Sequence, residues 1–350
     1  MANIQDVADA AGVSTASVSR FLAGQKVRTA DAIRAAIKAL DYTPSTIARS
    51  LKTGRHNAIG VVVPDITNPF FAGLVRGIED QARVKGYDVI LGNSDESPTQ
   101  EEALVQALIK RVDGLIVAPI IEEDQSILSL SKTSVPVVLV DRSVTSTNYD
   151  SVLVDNIGGI TLAVDHLVAL GHTQIAFISG PFTSTPGRAR HTGYVIASAA
   201  RNLDHHPEFV IEGDFREESG DAAMRQLWNL PNRPTAVVVA NNLMTIGALK
   251  ALRELDVAVP AQMSIVGFDD LSFAELLQPP LTVIARGDND QGSRAATLLF
   301  GRIQGTRTRS GEVMTLPVQL IVRKSTAAPL ATTSGTPISS ATTPKETTAL

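Results

Sequence analysis

The sequence predicts an α-helical headpiece followed by a larger α/β domain of two lobes, each built on a parallel sheet. Two patterns carry this reading. Apolar residues recur at helical spacing over the first 40 residues. From Ala58 onward, continuous apolar strands alternate with amphipathic helices in two successive runs. A chain of 350 residues also exceeds one compact domain.

In the headpiece, Ile4, Val7, Ala8 and Ala11 share one helical face, with Asn3 placed to cap and Asp6 in the first turn. Gly12 suits a turn at positive φ, and Ser14 can cap a second helix running through Leu22. On that helix Val18, Phe21 and Leu22 cluster, leaving Ala16 and Arg20 on the opposite face among Thr15, Ser17 and Ser19. Two short helices around a tight turn, with a small polar face and one arginine, form a helix-turn-helix pattern. Thr29–Leu40 adds a third helix with Ile33, Ile37 and Leu40 inward. A plain three-helix bundle would show most of the same features.

Charge sharpens the distinction. Residues 1–55 hold eight basic against four acidic residues, a net +4 within a chain of net −5, so the remainder carries −9. A basic module on an acidic body fits phosphate attraction by one domain only. After Pro44, residues 45–52 read as a fourth helix too short to be stable alone, followed by a linker to residue 57, an arrangement that makes sense if DNA completes its folding.

From Ala58 the expected strands are 58–63, 87–91, 114–118, 135–140 and 151–154, then 175–179, 209–211, 236–240 and 264–268. The helices between them are 70–85, 98–110 and 157–170, then 188–201, 216–230 and 242–255. In doubly wound sheets, ligands sit beyond the carboxyl ends of the strands. Phe70 and Phe71 follow the first strand, Asp141 ends 135–140, Asn241 ends 236–240 and Asp269 ends 264–268. Arg190 opens the helix after 175–179, and Phe215 follows 209–211. A guanidinium and a carboxylate can each engage adjacent hydroxyls, and an aromatic ring packs on the C–H face of a sugar. Individually these residues also suit core, cap or ion-pair roles.

The stretch MANIQDVADAAGVSTASVSRFLAG, then ALDYTPSTIARSLKTGRHNAIGVVVPDITNPFFAGLVRGIE, then LGNSDE, VDGLIV, HLVALGH, FISGP, RPTAVVVANN and VGFDD, resembles the lactose/galactose/purine-repressor family over residues 2–324. The resemblance implies a sequence-specific DNA-binding transcriptional regulator, a repressor, whose sensing domain resembles periplasmic sugar-binding proteins, with lobe crossings near 155–160 and 280–290. It implies that Thr15, Ala16 and Arg20 face base edges and that Ser17 and Ser19 meet phosphates. Leu51 becomes the hinge leucine wedged into the minor groove, with Ala48 and Lys52 beside it. Arg190, Asn241 and Asp269 become polar effector contacts, with Phe70, Phe71 and Phe215 as aromatic walls and Asp141 at the same strand-end position. One departure is Ala23, where the family commonly has Asn. A second is Ser184, which stands where purine-responsive members carry the arginine that reads the base, favouring a sugar or sugar derivative over a purine.

Other classes fit less well. With no cysteine, thiolate catalysis and disulfides are excluded. No nucleophile elbow or phosphate-binding loop appears, and Asn156–Gly159 reads as a lobe crossing. An enzyme is therefore not expected, and neither is a cofactor or metal. A sugar-transport receptor would need an export signal in place of the headpiece, whereas the N-terminus is polar and acidic. No apolar run reaches the ~20 residues of a membrane helix, and cytoplasmic is the expected location. The expected domains are 1–44, a hinge at 45–57, a sensing and dimerisation domain at 58–324, and a disordered tail at 325–350, rich in Thr, Ser, Ala and Pro. The tail lacks a leucine heptad, so the expected assembly is a homodimer on a palindromic operator.

Overall fold

The computed structural model describes residues 2–43, 55–120, 122, 135–144, 149–203, 206–308 and 311–330. Among the described residues three helices form the headpiece: α1 (Ile4–Ala10), α2 (Thr15–Leu22) and α3 (Ala30–Ala39). Asn3 Oδ1 accepts from the N–H groups of Gln5 and Asp6, and Asp6 Oδ2 accepts from the Asn3 N–H at 2.7 Å. This reciprocal capping box fixes where α1 begins. Gly12 takes φ +64° in the turn to α2, a conformation that disfavours a side chain. Val7, Ala8, Val18, Ile33 and Ala36 are buried together, with Phe21, Leu22, Ile37 and Leu40 packed around them.

After the headpiece come β1 (Ala58–Val63), α4 (Pro69–Lys85), β2 (Asp88–Asn93), α5 (Pro98–Leu108), β3 (Leu115–Val117), β4 (Val137–Val140) and β5 (Asp150–Val154). Then follow α6 (Asn156–Ala169), β6 (Ile175–Ser179), α7 (Thr185–Ala200), β7 (Val210–Glu212), α8 (Glu217–Trp228), β8 (Ala236–Val239), α9 (Asn242–Glu254) and β9 (Ser264–Phe268). The last elements are β10 (Thr282–Arg286), α10 (Asp288–Ile303), β11 (Val313–Leu316) and β12 (Val318–Ile321).

The chain divides into two compact units. Unit 1 takes the residues up to Leu153 with Asp288–Met314, and unit 2 takes Val154–Gly287 with the chain from Thr315. Their sheets share one plan: β11-β5-β4-β3-β1-β2 in unit 1 and β12-β10-β9-β8-β6-β7 in unit 2. Strands β1 to β5 pair in parallel, as do β6 to β10, while β12 runs antiparallel to β10. The central strands are wholly buried, as covered parallel sheets require. Strand order reverses at β1/β3 and at β6/β8. The carboxyl ends at these switch points are where such folds receive ligands.

Three expectations need correction. The sequence pattern had shown no element after Phe268, yet β10, α10, β11 and β12 follow it. The family resemblance implied two crossings between lobes, and the unit boundaries add a third between Met314 and Thr315. Only Pro317 separates β11 from β12, and proline cannot continue a ladder, so adjacent short strands enter different sheets. Finally, Ser325–Ala327 are not tail. Ser325 is buried, its Oγ accepting from the Thr282 N–H at 2.8 Å and donating to the Ile265 carbonyl at 2.7 Å. A small hydroxyl residue among other small polar residues gives no signal of burial.

Candidate functional site

On α2 the apolar side is inward and the opposite side is open. Val18 is buried, Ala16 and Arg20 are exposed, and Thr15, Ser17 and Ser19 are half-buried. Ser14 caps the helix by accepting from the Ser17 N–H, and its hydroxyl also meets the Ser17 hydroxyl at 3.1 Å. No acidic residue lies in the first turn of α2. The positive end of the helix is therefore not offset locally, which suits a phosphate. The Arg20 Nε donates to the Ala16 carbonyl at 3.4 Å, holding the side chain along the exposed face. None of the five α2 residues expected to meet DNA is buried. Ala48, Leu51 and Lys52 lie outside the described residues.

In unit 2, four residues scattered through the sequence come together at the carboxyl ends of the strands. Arg190 is 1% exposed, so a surface ion pair is excluded. It lies in the second turn of α7, which begins at Thr185 rather than near Arg190, because Ser184 caps it and Pro186 fits its first turn. The Arg190 Nε donates to Asn156 Oδ1 at 2.8 Å and Nη1 donates to the Ala240 carbonyl, while the guanidinium lies over the Phe268 ring. Asn241 caps α9 by accepting from the Met244 N–H at 3.0 Å, and its Nδ2 donates to the Phe215 carbonyl at 2.8 Å. Asp269 pairs with Arg286 at 2.6 and 3.2 Å, both side chains being buried. Phe215 rests against Gly180, where a Cβ would fall 2.1 Å from the ring.

Unit 1 carries its own strand-end groups. Phe70 and Phe71 are buried at the start of α4 in an edge-to-face pair with ring centres 4.8 Å apart. Asn68 caps that helix and Pro69 occupies its first turn. Asp141 is buried immediately after β4. Its neighbour Arg142 donates two bonds to the Glu96 carboxylate, at 2.6 and 3.0 Å. Burial pushes the Glu101 carboxyl up to about 7, against the opposing effect of the bond it accepts from the Ile120 N–H.

Asp141, Phe215 and Asp269 take φ of +63°, +69° and +73°. Non-glycine residues in the left-handed region concentrate at ligand sites, where the surroundings hold them in place. Sequence reasoning missed Asn156, Phe268 and Arg286 in unit 2, and Glu96 and Arg142 in unit 1. Phe268 was within reach, since it directly precedes Asp269 at the strand end. Arg286 ends a strand that the sequence pattern did not reveal. Among the described residues no His, Asp or Glu group is arranged to hold a metal, and no helix is long and apolar enough to cross a membrane.

A DNA-reading headpiece joined to α/β units with buried polar groups at their strand ends defines a class of protein: the ligand-responsive DNA-binding regulator. Residues 3–45 match the model for bacterial regulatory proteins of the lacI family, and residues 164–326 match the periplasmic binding protein-like domain. The HTH-type transcriptional repressor PurR of Mannheimia succiniciproducens is 35% identical over 93% of this chain and 98% of its own length. The lac repressor dimer bound to operator and the anti-inducer ONPF superposes with a TM-score of 0.84, at 30% identity over 93% of this chain and 99% of that one. A complex of the transcriptional regulator CelR with cellobiose gives a TM-score of 0.71 at 32% identity, over 93% of this chain and 100% of that one. The chain belongs to the lacI family of bacterial regulatory proteins. It is a DNA-binding transcription regulator with an effector-binding domain.

Proposed function

We propose that the protein is a repressor that binds a two-fold operator as a homodimer and alters its hold on DNA when it takes up a sugar. Arg20 reads a guanine edge, Thr15 and Ala16 make apolar contact with thymine, and Ser17 and Ser19 fix the headpiece on phosphates. Ala48, Leu51 and Lys52 act in the minor groove, with Leu51 as the wedge. Arg190, Phe215, Asn241 and Asp269 are the effector contacts of unit 2, and Phe70, Phe71 and Asp141 those of unit 1.

The observation that supports this reading best is the linkage of the unit 2 residues. Arg190, Phe215, Asn241 and Asp269 lie far apart in sequence, yet Arg190 donates to the Ala240 carbonyl beside Asn241, Asn241 donates to the Phe215 carbonyl, and Arg190 and the Arg286 paired with Asp269 meet at the Phe268 ring. A core helix cap or ion pair needs none of this convergence. The 35% identity to PurR favours a purine instead. Against it stands Ser184, where the purine-responsive members carry arginine. Its hydroxyl accepts from the Gly187 N–H at 3.1 Å and donates to the Pro181 carbonyl at 2.9 Å, so the position serves the helix cap.

A thermal-shift screen of the full chain against sugars, sugar derivatives and purines tests the reading, because a ligand that binds only the folded protein raises Tm. A sugar-type hit that also changes operator affinity is the expected result. A response to purines alone would overturn it.

A further inference from the structure

Gln291 is fully buried on α10, yet only one end of its amide is used. Its Nε2 donates to the Val152 carbonyl of β5 at 2.9 Å, while Oε1 has no hydrogen-bond partner among the described residues. A carbonyl can be met only by a donor, so this bond fixes the amide and leaves the oxygen stranded. A buried polar atom left unmet costs stability, and an apolar side chain of the same length would avoid that cost. Departures of this kind concentrate where a protein needs position more than stability.

The bond lands where position matters. The same Val152 carbonyl accepts from the Asp141 N–H at 3.0 Å. Asp141 stands at φ +63°, in a three-residue turn closed by the Arg142 N–H on the Val140 carbonyl at 2.7 Å. Such a turn with positive φ at its centre is strained and persists only where its surroundings hold it. The holder is itself rigid. A Cβ on Gly77 would collide with the Asn289 carbonyl and one on Gly292 with the Leu74 carbonyl, so α10 and α4 pack backbone against backbone. Helix α4 begins with Pro69, Phe70 and Phe71. Gln291 therefore ties the strand end beside Asp141 to the helix pair that carries the two rings, all within unit 1.

We propose that Gln291 is a positioning residue of the effector site: it holds the end of β5, and through the shared carbonyl Asp141, at a fixed spacing from Phe70 and Phe71. A carboxylate that accepts from a hydroxyl and rings that pack on C–H faces serve one ligand only while that spacing is kept. A site held in its binding geometry loses less freedom when the ligand arrives, and this is what Gln291 contributes. Val152 stands just before the chain leaves unit 1 and Gln291 shortly after it returns at Asp288, so the tie also closes unit 1 at two of its crossings. The inference rests on the reading of Phe70, Phe71 and Asp141 as the effector contacts of unit 1.

The test compares Gln291→Met, which keeps length and bulk but cannot donate, with Asp141→Asn and the double variant, all in the full-length protein. Calorimetry uses ribose, glucose, galactose, cellobiose and hypoxanthine as probes. For a probe that the unaltered protein binds, Gln291→Met should lose about tenfold in affinity, with Tm unchanged or higher. The double variant should lose no more than Asp141→Asn alone, since residues that act as one unit are not additive. Hydrogen exchange measured without ligand should quicken about five- to tenfold at the Asp141 and Arg142 amides, the worth of one hydrogen bond, with α10 unchanged. A lower Tm with undiminished affinity would make Gln291 a packing residue and overturn the inference. Losses that simply add in the double variant, or unaltered exchange at Asp141, would overturn it as well. So would unfolding of both Gln291→Met and Gln291→Leu. Binding of hypoxanthine alone overturns the sugar reading, and the affinity comparison then runs on hypoxanthine. Binding of no probe also overturns the sugar reading, and the exchange measurement then decides on Gln291 by itself.

Discussion

The guanidinium carbon of Arg190 lies 3.7 Å from the centre of the Phe268 ring while its Nε is bound to Asn156. A cation held over a desolvated ring is worth about 2 kcal/mol, and two hydrogen bonds keep the plane of the guanidinium fixed. Arg190→Ala should therefore abolish the change in operator affinity on adding effector, with the headpiece still able to bind DNA. Phe268→Leu, which keeps an apolar side chain but removes the ring face, should weaken effector binding by about tenfold. Calorimetry paired with operator anisotropy measures both. An undiminished effector response in Arg190→Ala would remove Arg190 from the site.

The exposed face of α2 makes a separate prediction. Arg20→Ala should cost about 1–3 kcal/mol on the cognate operator and relax preference at one base pair in each half-site. Random DNA should lose less. Ser14→Ala acts differently, because Ser14 caps α2 through the Ser17 N–H. It should lower headpiece stability by about 1 kcal/mol and weaken specific and non-specific binding together. Equal losses on both kinds of DNA for Arg20→Ala would make Arg20 a phosphate contact.

Much of this was legible in the sequence because the relevant signals are local. Asn3, Gly12 and Ser14 announce the ends of the headpiece helices within a few residues of where their bonds form. Runs such as 236–240 announce buried strands by composition alone. What was hidden depends on long-range partners. Arg286 is silent until β10 brings it beside Asp269, 17 residues earlier in the chain. Arg190 was legible as a site residue, but its bond to Asn156, 34 residues away, was not. Ser325 looks like tail until Ile265 and Thr282, 60 and 43 residues away, claim its hydroxyl.

Glu101 predicts a pH dependence of stability. Its carboxyl is pushed up to about 7 from an ordinary value of 4.5, chiefly by burial. Between those values the folded chain holds a proton that the unfolded chain releases, so stability falls as pH rises through this window and the full cost is present above pH 7. Below about pH 4.5 both states are protonated and the cost disappears. Glu101→Gln mimics the protonated form and can still accept from the Ile120 N–H. It should match the unaltered protein near pH 4.5 and exceed it by on the order of 3 kcal/mol at pH 8. Chemical denaturation at the two pH values measures this; an equal difference at both would mean that Glu101 does not titrate in the window.

The segment Ser325–Ala327 makes the last prediction, because it closes unit 2 through groups that become stranded without it. Ser325 satisfies the Thr282 N–H and the Ile265 carbonyl with its hydroxyl, and the Ile265 N–H with its own carbonyl at 2.9 Å. The Ala327 carbonyl meets His172 Nε2 at 2.8 Å, the Ala327 N–H donates to Ser264 Oγ at 3.1 Å, and His166 Nε2 lies 2.9 Å from Thr326 Oγ1. His172 is buried, and burial lowers the pKa of its ring, which favours the neutral form. Each buried polar group left without a partner costs about 1–3 kcal/mol. A protein ending at Leu330 should melt like the full chain. One ending at Lys324 should melt several degrees lower, and Ser325→Ala in the full chain should reproduce a substantial part of that loss. Because the His172 ring resists protonation when folded but not when unfolded, the stability it supports is present above about pH 6.5 and is lost as pH falls below that value. The acid-side loss should be smaller in the protein ending at Lys324, where water can reach the ring. Identical melting curves for the two truncations would show that the segment merely lies along the surface of unit 2.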